Sequence, residues 1–375
     1  TQFTAISGTV ATDASDTLTV QGTGGVDTID ASGENATFVL QGLVGGDTLT
    51  ASDNGDTLIG GAGDDTLNGG TGGDRLLVDS MDSTINAGAG VDTLVTDDTG
   101  GATVGMGDNA GNFEQIEIAS DSAHDITISG GGTLDNTNAE LTVVNDTGSD
   151  LTSGITIDAS NLTGQSNSTD NTLNFDGSGQ GFDGGNTVTG GDNVDTIVAG
   201  DGGDAINGSD GNDVLTAGDG ADVFTYTAAS QIGDTINGFA TTGTTDEVQF
   251  SASVAGLFSA GFGGGSVSFL IGTGGATADT TAVSTGNGNA ISTIGTSFAN
   301  TADFLAALTT ISGSGVGSTN DTFIALAFNS AGSQLFVAQA TDTDGTGASD
   351  IESATMIGTL TFDADVSAGA DIALV

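Results

Sequence analysis

A nine-residue period constrains this chain more than any other feature of its sequence. Between Gly33 and Val95 an apolar residue recurs at every ninth position, and an aspartate stands two residues before most of these positions. The apolar positions are Leu40, Leu49, Leu58, Leu67, Leu76, Ile85 and Leu94. A fixed short period of this kind is the signature of stacked structural repeats, so the sequence predicts a solenoid.

Each repeat combines a glycine-rich turn with a short strand. The two best-formed units, 60–68 and 69–77, read Gly-Gly-Ala-Gly-Asp-Asp-Thr-Leu-Asn and Gly-Gly-Thr-Gly-Gly-Asp-Arg-Leu-Leu. Glycine permits the left-handed backbone that a tight turn requires, and an apolar residue between polar neighbours predicts a strand with one buried face. A second series, between Gly181 and Thr225, has its apolar positions at Val188, Ile197, Ile206, Leu215 and Phe224.

The charge of the chain restricts its partners. There are 50 acidic residues, Arg75 is the only basic one apart from a single histidine, and the net charge is −49. Such a chain cannot neutralise nucleic-acid phosphates, is repelled by anionic membranes and needs counter-ions to become compact.

Most of the acidic residues are aspartates, whose short carboxylates suit calcium ligation from tight turns. A halophilic or marine acidic surface is the alternative explanation. Because the chain has no cysteine, a metal is the expected cross-link.

The repeated units resemble the nonapeptides of the repeats-in-toxin family, whose pattern is Gly-Gly-x-Gly-x-Asp-x-apolar-x. The resemblance implies a parallel β-roll in which two nonapeptides form one coil and neighbouring turns hold calcium ions through carboxylate and carbonyl oxygens. The ligand residues that it implies are Asp47, Asp56, Gly60, Ala62, Asp65, Gly69, Thr71, Asp74, Asp92, Gly190, Asp192, Asp195, Asp201, Asp204, Gly208, Asp210, Asp213, Asp219 and Asp222. A solenoid rich in glycine and aspartate that binds no metal is the alternative.

The segment 96–180 loses the nonapeptide period but keeps short strand patterns. These predict strands with one buried face, arranged as an irregular β-helix or as a sandwich. Residues 112–118 and 157–160 also resemble segments of bacterial surface-layer proteins that carry the same repeats. The alternating apolar pairs are Ile116 and Ile118, Ile126 and Ile128, Leu141 and Val143, Ile155 and Ile157, and Leu173 and Phe175.

The sequence changes character again after Tyr226. Segments 220–226, 233–239 and 246–248 resemble the part of repeats-in-toxin proteins that closes the β-roll and leads into a β-rich cap. One helix is predicted, over 301–311, where a capping residue precedes a helical apolar pattern.

The predicted fold is all-β: a parallel β-roll or β-solenoid in two nonapeptide-repeat blocks, with an irregular β-helical middle and a β-rich C-terminal cap. The last residues, 371–375, resemble the uncleaved signal read by type I secretion machines, although they would also form a good last strand. The predicted segments are 1–41 (N-terminal β entry), 42–95 (first repeat block), 96–180 (middle), 181–225 (second repeat block) and 226–375 (cap).

These features favour a secreted structural protein that assembles with copies of itself into a surface layer or an extracellular filament, with calcium locking the turns. A calcium-stiffened adhesin, or a module that binds carbohydrate or another surface, is the alternative, and cell-surface polysaccharide is a further candidate partner. We expect no membrane span and no nucleic-acid partner. The single histidine, His124, and the lack of cysteine and tryptophan disfavour zinc sites and sugar-cleaving clefts, so we do not expect an enzyme.

Overall fold

The computed structural model describes residues 17–79, 81–82, 84–96, 103–106, 113–120, 125–128, 140–145, 151–160, 172–177, 182–240, 243–250, 269–272, 298–308, 321–342, 353–364 and 371–374. The chain forms two compact units, Thr1–Asp204 and Ala205–Val375. In each unit the described residues are mainly β-strands that pair in parallel, so the predicted all-β solenoid is confirmed. The boundaries of the five predicted segments stay predictions.

The first unit is a solenoid whose successive strands alternate between two faces. Its strands are β1 (Thr17–Gln21), β2 (Thr28–Asp30), β3 (Thr37–Val44), β4 (Thr48–Thr50), β5 (Thr57–Ala62), β6 (Thr66–Asn68), β7 (Arg75–Val78), β8 (Thr84–Asn86), β9 (Asp92–Thr96), β10 (Thr103–Met106), β11 (Phe113–Ile118), β12 (Asp125–Ile128), β13 (Glu140–Asn145), β14 (Thr156–Asp158), β15 (Thr172–Asp176), β16 (Thr187–Thr189) and β17 (Thr196–Val198). The odd-numbered strands form one parallel sheet, here the odd sheet, in chain order from β1 to β17. The even-numbered strands form two parallel sheets, β2-β4-β6-β8 and β10-β12-β14-β16.

Apolar side chains of successive coils lie in register along the odd sheet. The line consists of Leu40, Leu58, Leu76, Leu94, Ile116, Val143, Phe175 and Ile197, each paired with the next. All of them are fully buried. Leu49 and Leu67, nine residues from members of this line, are buried from the even strands. The nine-residue period therefore records one inward residue from each face of a coil, and burial of these side chains stabilises the stack.

The middle of the chain continues the same solenoid. Strand β11 pairs in parallel with β9 of the first repeat block, and β13, β15 and β17 follow it in the odd sheet. The alternating pairs in 96–180 thus contribute to strands of a β-helix, which is one of the two predicted arrangements. Parallel stacking of one strand per coil is not the arrangement of a sandwich of antiparallel sheets, so that alternative is wrong.

The second unit begins with parallel strands and adds an antiparallel region. Its strands are β18 (Ala205–Asn207), β19 (Val214–Thr216), β20 (Val223–Tyr226), β21 (Thr235–Asn237), β22 (Glu247–Phe250), β23 (Phe269–Gly272), β24 (Asp321–Phe328), β25 (Gln334–Asp342), β26 (Ser353–Phe362) and β27 (Asp371–Leu374). One sheet is β18-β20-β22-β27, and the other is β19-β21-β26-β25-β24-β23. In the second sheet β25 is antiparallel to β24 and to β26, whereas the end of β26 is parallel to β21.

Two helical elements occur among the described residues of the second unit. A short 3-10 helix spans Ala229–Gln231, and the α-helix α1 spans Thr301–Leu308. The predicted helix is therefore confirmed over 301–308, and its last three residues lie outside the described residues. Phe304 of α1 is fully buried and packs against Phe336 of β25, with ring centroids 6.0 Å apart. No helix in the described ranges is long and apolar enough to cross a membrane.

Candidate metal centre

Buried aspartates occupy the turns of both units. Each lies at the end of a turn, directly before a strand or at its first residue, and is no more than 2% exposed. A buried carboxylate is costly unless it is hydrogen-bonded or paired with a cation. The residues are Asp27, Asp47, Asp56, Asp65, Asp74, Asp92, Asp195, Asp204, Asp213, Asp222, Asp234 and Asp246.

One oxygen of most of these aspartates joins its turn to the preceding coil. Oδ1 of Asp74 accepts the backbone N–H of Asp56 at 2.7 Å, and Oδ1 of Asp92 accepts that of Asp74 at 2.7 Å. We call this repeated contact the aspartate ladder. The further donor and acceptor pairs are Asp27 and Asp47, Asp47 and Asp65, Phe38 and Asp56, Leu173 and Asp195, Asn186 and Asp204, Asp213 and Asp234, and Asp222 and Asp246.

The second oxygen, Oδ2, divides the turns into two classes. In the first class, the open turns, Oδ2 is buried and no hydrogen-bond donor among the described residues reaches it. A buried polar atom without a donor requires an explanation, and a bound cation is one. The open turns are 42–47, 60–65, 69–74 and 87–92, which end at Asp47, Asp65, Asp74 and Asp92.

In the second class, the closed turns, the second residue of the turn donates to Oδ2. The backbone N–H of Ser52 donates to Oδ2 of Asp56 at 2.7 Å, and the Ser52 hydroxyl donates to the same oxygen at 2.8 Å. The closed turns are 22–27, in which Thr23 donates to Asp27 through both groups; 51–56; and 190–195, in which the N–H of Gly191 donates to Asp195.

Three further ladder carboxylates receive other protein donors. The hydroxyl of Tyr226 donates to Oδ2 of Asp234 at 3.0 Å. The backbone N–H of Ala240 donates to Oδ2 of Asp246 at 2.6 Å. Asp82 accepts the N–H of Asp65 through Oδ1 and that of Asp79 through Oδ2. These carboxylates thus resemble those of the closed turns, although their donors stand at other positions.

Backbone carbonyl oxygens approach the carboxylates of two of the open turns, those that end at Asp47 and Asp74. A Cβ added at Gly69 would lie 2.7 Å from Oδ2 of Asp74 and against the carbonyl oxygen of Ala87 in the next turn on that edge. A Cβ added at Gly42 would likewise meet Oδ2 of Asp47 and, at 2.6 Å, the carbonyl oxygen of Gly60. Glycine therefore keeps clear a position where a carboxylate and a carbonyl converge. Calcium is bound by mixed oxygen ligands of this kind.

Side chains alone do not complete such a site. Within the described ranges, no group of three or more His, Cys, Asp or Glu side chains is placed to hold a metal ion. An ion at an open turn would therefore take much of its coordination from backbone carbonyls, as glycine-rich turns allow.

Comparison with family models identifies the repeats. The model of the RTX calcium-binding nonapeptide repeat matches residues 41–76, 180–215 and 198–226, in four copies. The chain carries repeats-in-toxin calcium-binding repeats. Repeats of this family bind several calcium ions in a domain. A search of the curated proteins found no match.

The open turns of these repeats fit calcium. The carboxylates of Asp47, Asp65, Asp74 and Asp92 and the carbonyls of Gly60 and Ala87 are the groups that would hold it. A bound ion would supply the positive charge that buried carboxylates require. The calcium-binding expectation from the sequence is thus confirmed for the repeats as a class.

Burial controls the protonation of the ladder. Burial raises the pKa of the Asp74 carboxyl to about 7; the hydrogen bond from Asp56 lowers it, and the charges of Asp92 and Asp56 raise it. Burial likewise raises the pKa of Asp92 and of Asp204 to about 6. A cation favours the ionised carboxylate, so calcium binding by these repeats is coupled to proton release.

The structure separates the predicted ligand residues into groups. Asp47, Asp65, Asp74 and Asp92 end open turns, whereas Asp56 and Asp195 end closed turns. Asp204, Asp213 and Asp222 are buried at the ends of turns 199–204, 208–213 and 217–222. The glycines Gly60, Gly69, Gly190 and Gly208 are buried at the first turn position, and Ala62 and Thr71 are exposed at the third. Asp192, Asp201 and Asp219 are exposed, and Asp210 is half-buried and accepts the Ser230 hydroxyl at 2.6 Å.

Sequence reasoning missed several members of the ladder. Asp27 lies 20 residues before Asp47 and Asp82 lies 17 after Asp65, so both depart from the strict period. Asp234 stands 21 residues after Asp213. The usable signal was local: Asp27 and Asp234 each begin an Asp-Thr-Ile tripeptide that matches the Asp-Thr-Leu at Asp47.

Proposed function

We propose that this protein is a secreted structural subunit whose calcium-stiffened solenoid assembles with other copies into a surface layer or an extracellular filament. The repeat family supports calcium dependence and an extracellular location. Export by a type I machine belongs to the proposal and rests on that family and on the resemblance of residues 371–375 to its signals. We assign no catalytic activity.

The observation that carries the proposal is a group of exposed apolar residues on one turn edge of the first unit. Val26, Leu43 and Val44 are 59%, 38% and 58% exposed. Their turns stack directly, because a Cβ added at Gly45 would lie 2.7 Å from the carbonyl carbon of Gly25. Grouped apolar side chains on an otherwise acidic surface are typical of an interaction site. We call these three residues the apolar edge.

A regular polar face lies beside this edge. Thr28, Thr48, Thr66 and Thr84 stand in register on strands β2, β4, β6 and β8. Arg75 lies on the odd sheet, where it pairs with Glu117. The threonine row of the even strands is therefore unbroken over these four strands. A repeating row of threonine side chains supports repeated contacts between copies.

Charge explains why calcium would control assembly. Copies that each carry a net charge of −49 repel one another. Calcium bound in the turns reduces that charge and holds the stacked turns that display the apolar edge. Assembly is therefore expected in millimolar calcium and not in excess chelator.

Electron microscopy with matched variants tests the proposal. We would image negatively stained protein in calcium and in chelator, together with Val44→Asp on the apolar edge and Val91→Asp. Val91 is 67% exposed on the stack of turns that contains 69–74 and 87–92. Sheets or fibres that form in calcium, dissolve on chelation and are lost in Val44→Asp but not in Val91→Asp would support the proposal. Isolated particles in both solutions would contradict it.

A specific feature of the second unit favours the alternative, a carbohydrate-binding adhesin. A groove of about 570 Å³ is lined by uncharged residues, although the chain is strongly acidic. Amide and hydroxyl groups match the hydrogen-bonding groups of a neutral sugar. Monomers that bind polysaccharide, and lose binding in Thr359→Val, would support this function instead. The polar lining residues are Asn212, Asn300, Thr301, Gln334, Thr359 and Thr361.

A further inference from the structure

We infer that the open turns take up calcium, and that the closed turns are metal-free supports built into the same repeat. The two classes share the terminal aspartate, its burial and its ladder contact, so the nonapeptide pattern does not distinguish them. They differ in whether protein donors already occupy Oδ2. This inference concerns the turns alone and does not depend on assembly.

The donor at the second turn position is the first argument. In the turn ending at Asp56, two groups of Ser52 donate to Oδ2. An ion at that oxygen would have to replace two charge-assisted hydrogen bonds and would meet the positive end of an N–H dipole. Asp74 lies 18 residues after Asp56, in the next turn of the same edge, and its Oδ2 has no donor in the described part of the chain. Calcium gains more at Asp74, because it compensates a buried carboxylate oxygen that no donor among the described residues reaches.

Backbone conformation is a second and independent distinction. The second residue of every open turn has a left-handed φ, between 86° and 104°. The residues are Leu43, Gly61, Gly70 and Gly88. In the closed turns the corresponding residues, Thr23, Ser52 and Gly191, do not have a positive φ. Gly191 shows that glycine alone does not produce the open form, and Leu43 shows that the open form does not require glycine.

The turn ending at Asp27 isolates the deciding feature. A Cβ added at Gly22 would lie 2.8 Å from Oδ2 of Asp27 and 2.8 Å from the carbonyl oxygen of Gly42. The carboxylate and carbonyl thus converge here as they do in the open turns. Here, however, two groups of Thr23 donate to Oδ2 of Asp27. A carbonyl near the aspartate is therefore not sufficient for an ion site in this chain.

The order of the turns gives the closed class a role. On one edge the closed turn 22–27 precedes the open turns 42–47 and 60–65; on the other, 51–56 precedes 69–74 and 87–92. Each pair of consecutive open turns is thus bounded by a turn that keeps its hydrogen bonds without an ion. We infer that the closed turns hold the start of each stack in place while calcium is bound or lost.

Two aspartate variants of the full chain test the inference. Asp74→Asn and Asp56→Asn make the same chemical change in neighbouring turns of one edge. Calorimetric titration should show less calcium bound per chain, or at least about tenfold weaker binding, for Asp74→Asn. Asp56→Asn should bind as much calcium as the wild type and melt at a lower temperature in chelator. Equal loss of calcium in both variants, or no loss in Asp74→Asn, would overturn the inference.

A direct measurement covers the case in which a variant does not fold. Anomalous scattering from crystals of the wild-type protein grown with calcium locates each ion without any substitution. Ions are expected beside Asp47, Asp65, Asp74 or Asp92 and not beside Asp27, Asp56 or Asp195. An ion that contacts Oδ2 of any of the last three residues refutes the division into two classes.

Discussion

Asp56 and Asp74 are joined by a 2.7 Å hydrogen bond from the backbone N–H of Asp56 to Oδ1 of Asp74. The second carboxylate oxygens of the two residues, Oδ2, differ in their hydrogen bonding. Oδ2 of Asp56 accepts two hydrogen bonds from Ser52. Oδ2 of Asp74 is buried and accepts none from the described residues. Burial of Asp74 must therefore be compensated by a cation or by a proton. The stability of the first unit consequently depends on calcium and on pH.

Removal of calcium should lower the melting temperature of the protein. An ion that binds only the folded state contributes about 2.7 kcal/mol per site when its free concentration is a hundred times its Kd. Magnesium should not replace it, because magnesium demands octahedral geometry and shorter distances to oxygen. Thermal melts followed by circular dichroism in calcium, magnesium and chelator check this. One melting temperature in all three solutions would contradict the prediction.

In chelator, stability should decrease as pH rises from about 4 to about 7. Burial raises the pKa of Asp74 and of Asp82 to about 7 and that of Asp92 to about 6, above the unperturbed 3.8. The folded state then binds more protons than the unfolded state in this range, and the free energy of unfolding falls with increasing pH. Calcium holds the ionised form, so the decrease should become smaller or reverse in calcium. Denaturant titrations at pH 5 and pH 8 measure the difference, and an increase with pH in chelator would refute it.

Leu43→Gly should stabilise the protein by about 1 kcal/mol. Leu43 has a φ of 86°, a left-handed conformation that costs an L-residue about 1–2 kcal/mol. Glycine removes this strain, and the larger conformational entropy of glycine in the unfolded chain offsets only part of the resulting stabilisation. Ser52→Gly is the matched control at the second position of a closed turn. It should destabilise, because it removes the hydroxyl bond to Asp56. Chemical denaturation at fixed calcium compares the two, and a loss of stability in Leu43→Gly would count against strain at this turn.

The periodic parts of the fold could be predicted because one inward residue per strand must be apolar in every coil. Leu58 and Leu67 illustrate this, since both are fully buried on successive strands of one coil. The middle segment was harder, because its strands are irregularly spaced along the sequence and the apolar pairs alone do not distinguish parallel stacking from a sandwich. Ile116 pairs with Leu94 across 22 residues, whereas Leu76 pairs with Leu94 across 18.

The two classes of turn could not be predicted from the nonapeptide pattern. Asp56 and Asp74 occupy the same position of the repeat, and the difference arises from the second turn residue. Ser52 carries a hydroxyl that signals a donor, but Gly191 closes its turn through the backbone N–H alone. That contact depends on φ and ψ, which a glycine leaves unspecified.

Tyr226→Phe should destabilise the second unit, and the loss should grow with pH. The Tyr226 hydroxyl donates to Oδ2 of buried Asp234 at 3.0 Å, while its ring stacks on Phe250 with centroids 5.6 Å apart. Phenylalanine keeps the ring contact and removes the donor, which costs about 1–3 kcal/mol when the acceptor stays buried.

The pH dependence distinguishes this hydrogen bond from ring packing. Burial raises the pKa of Asp234 to about 6, and the Tyr226 hydrogen bond lowers it, so the variant's pKa should be higher still. Below pH 5 Asp234 is protonated in both proteins and the variant loses little. Above pH 7 its carboxylate must ionise without the hydroxyl, and the variant loses most. Tyr226→Leu, which also removes the ring, should add a loss that does not change with pH. Denaturant titrations at pH 5 and pH 8 measure both variants, and an equal loss for Tyr226→Phe at the two pH values would show that the hydroxyl does not stabilise the Asp234 carboxylate.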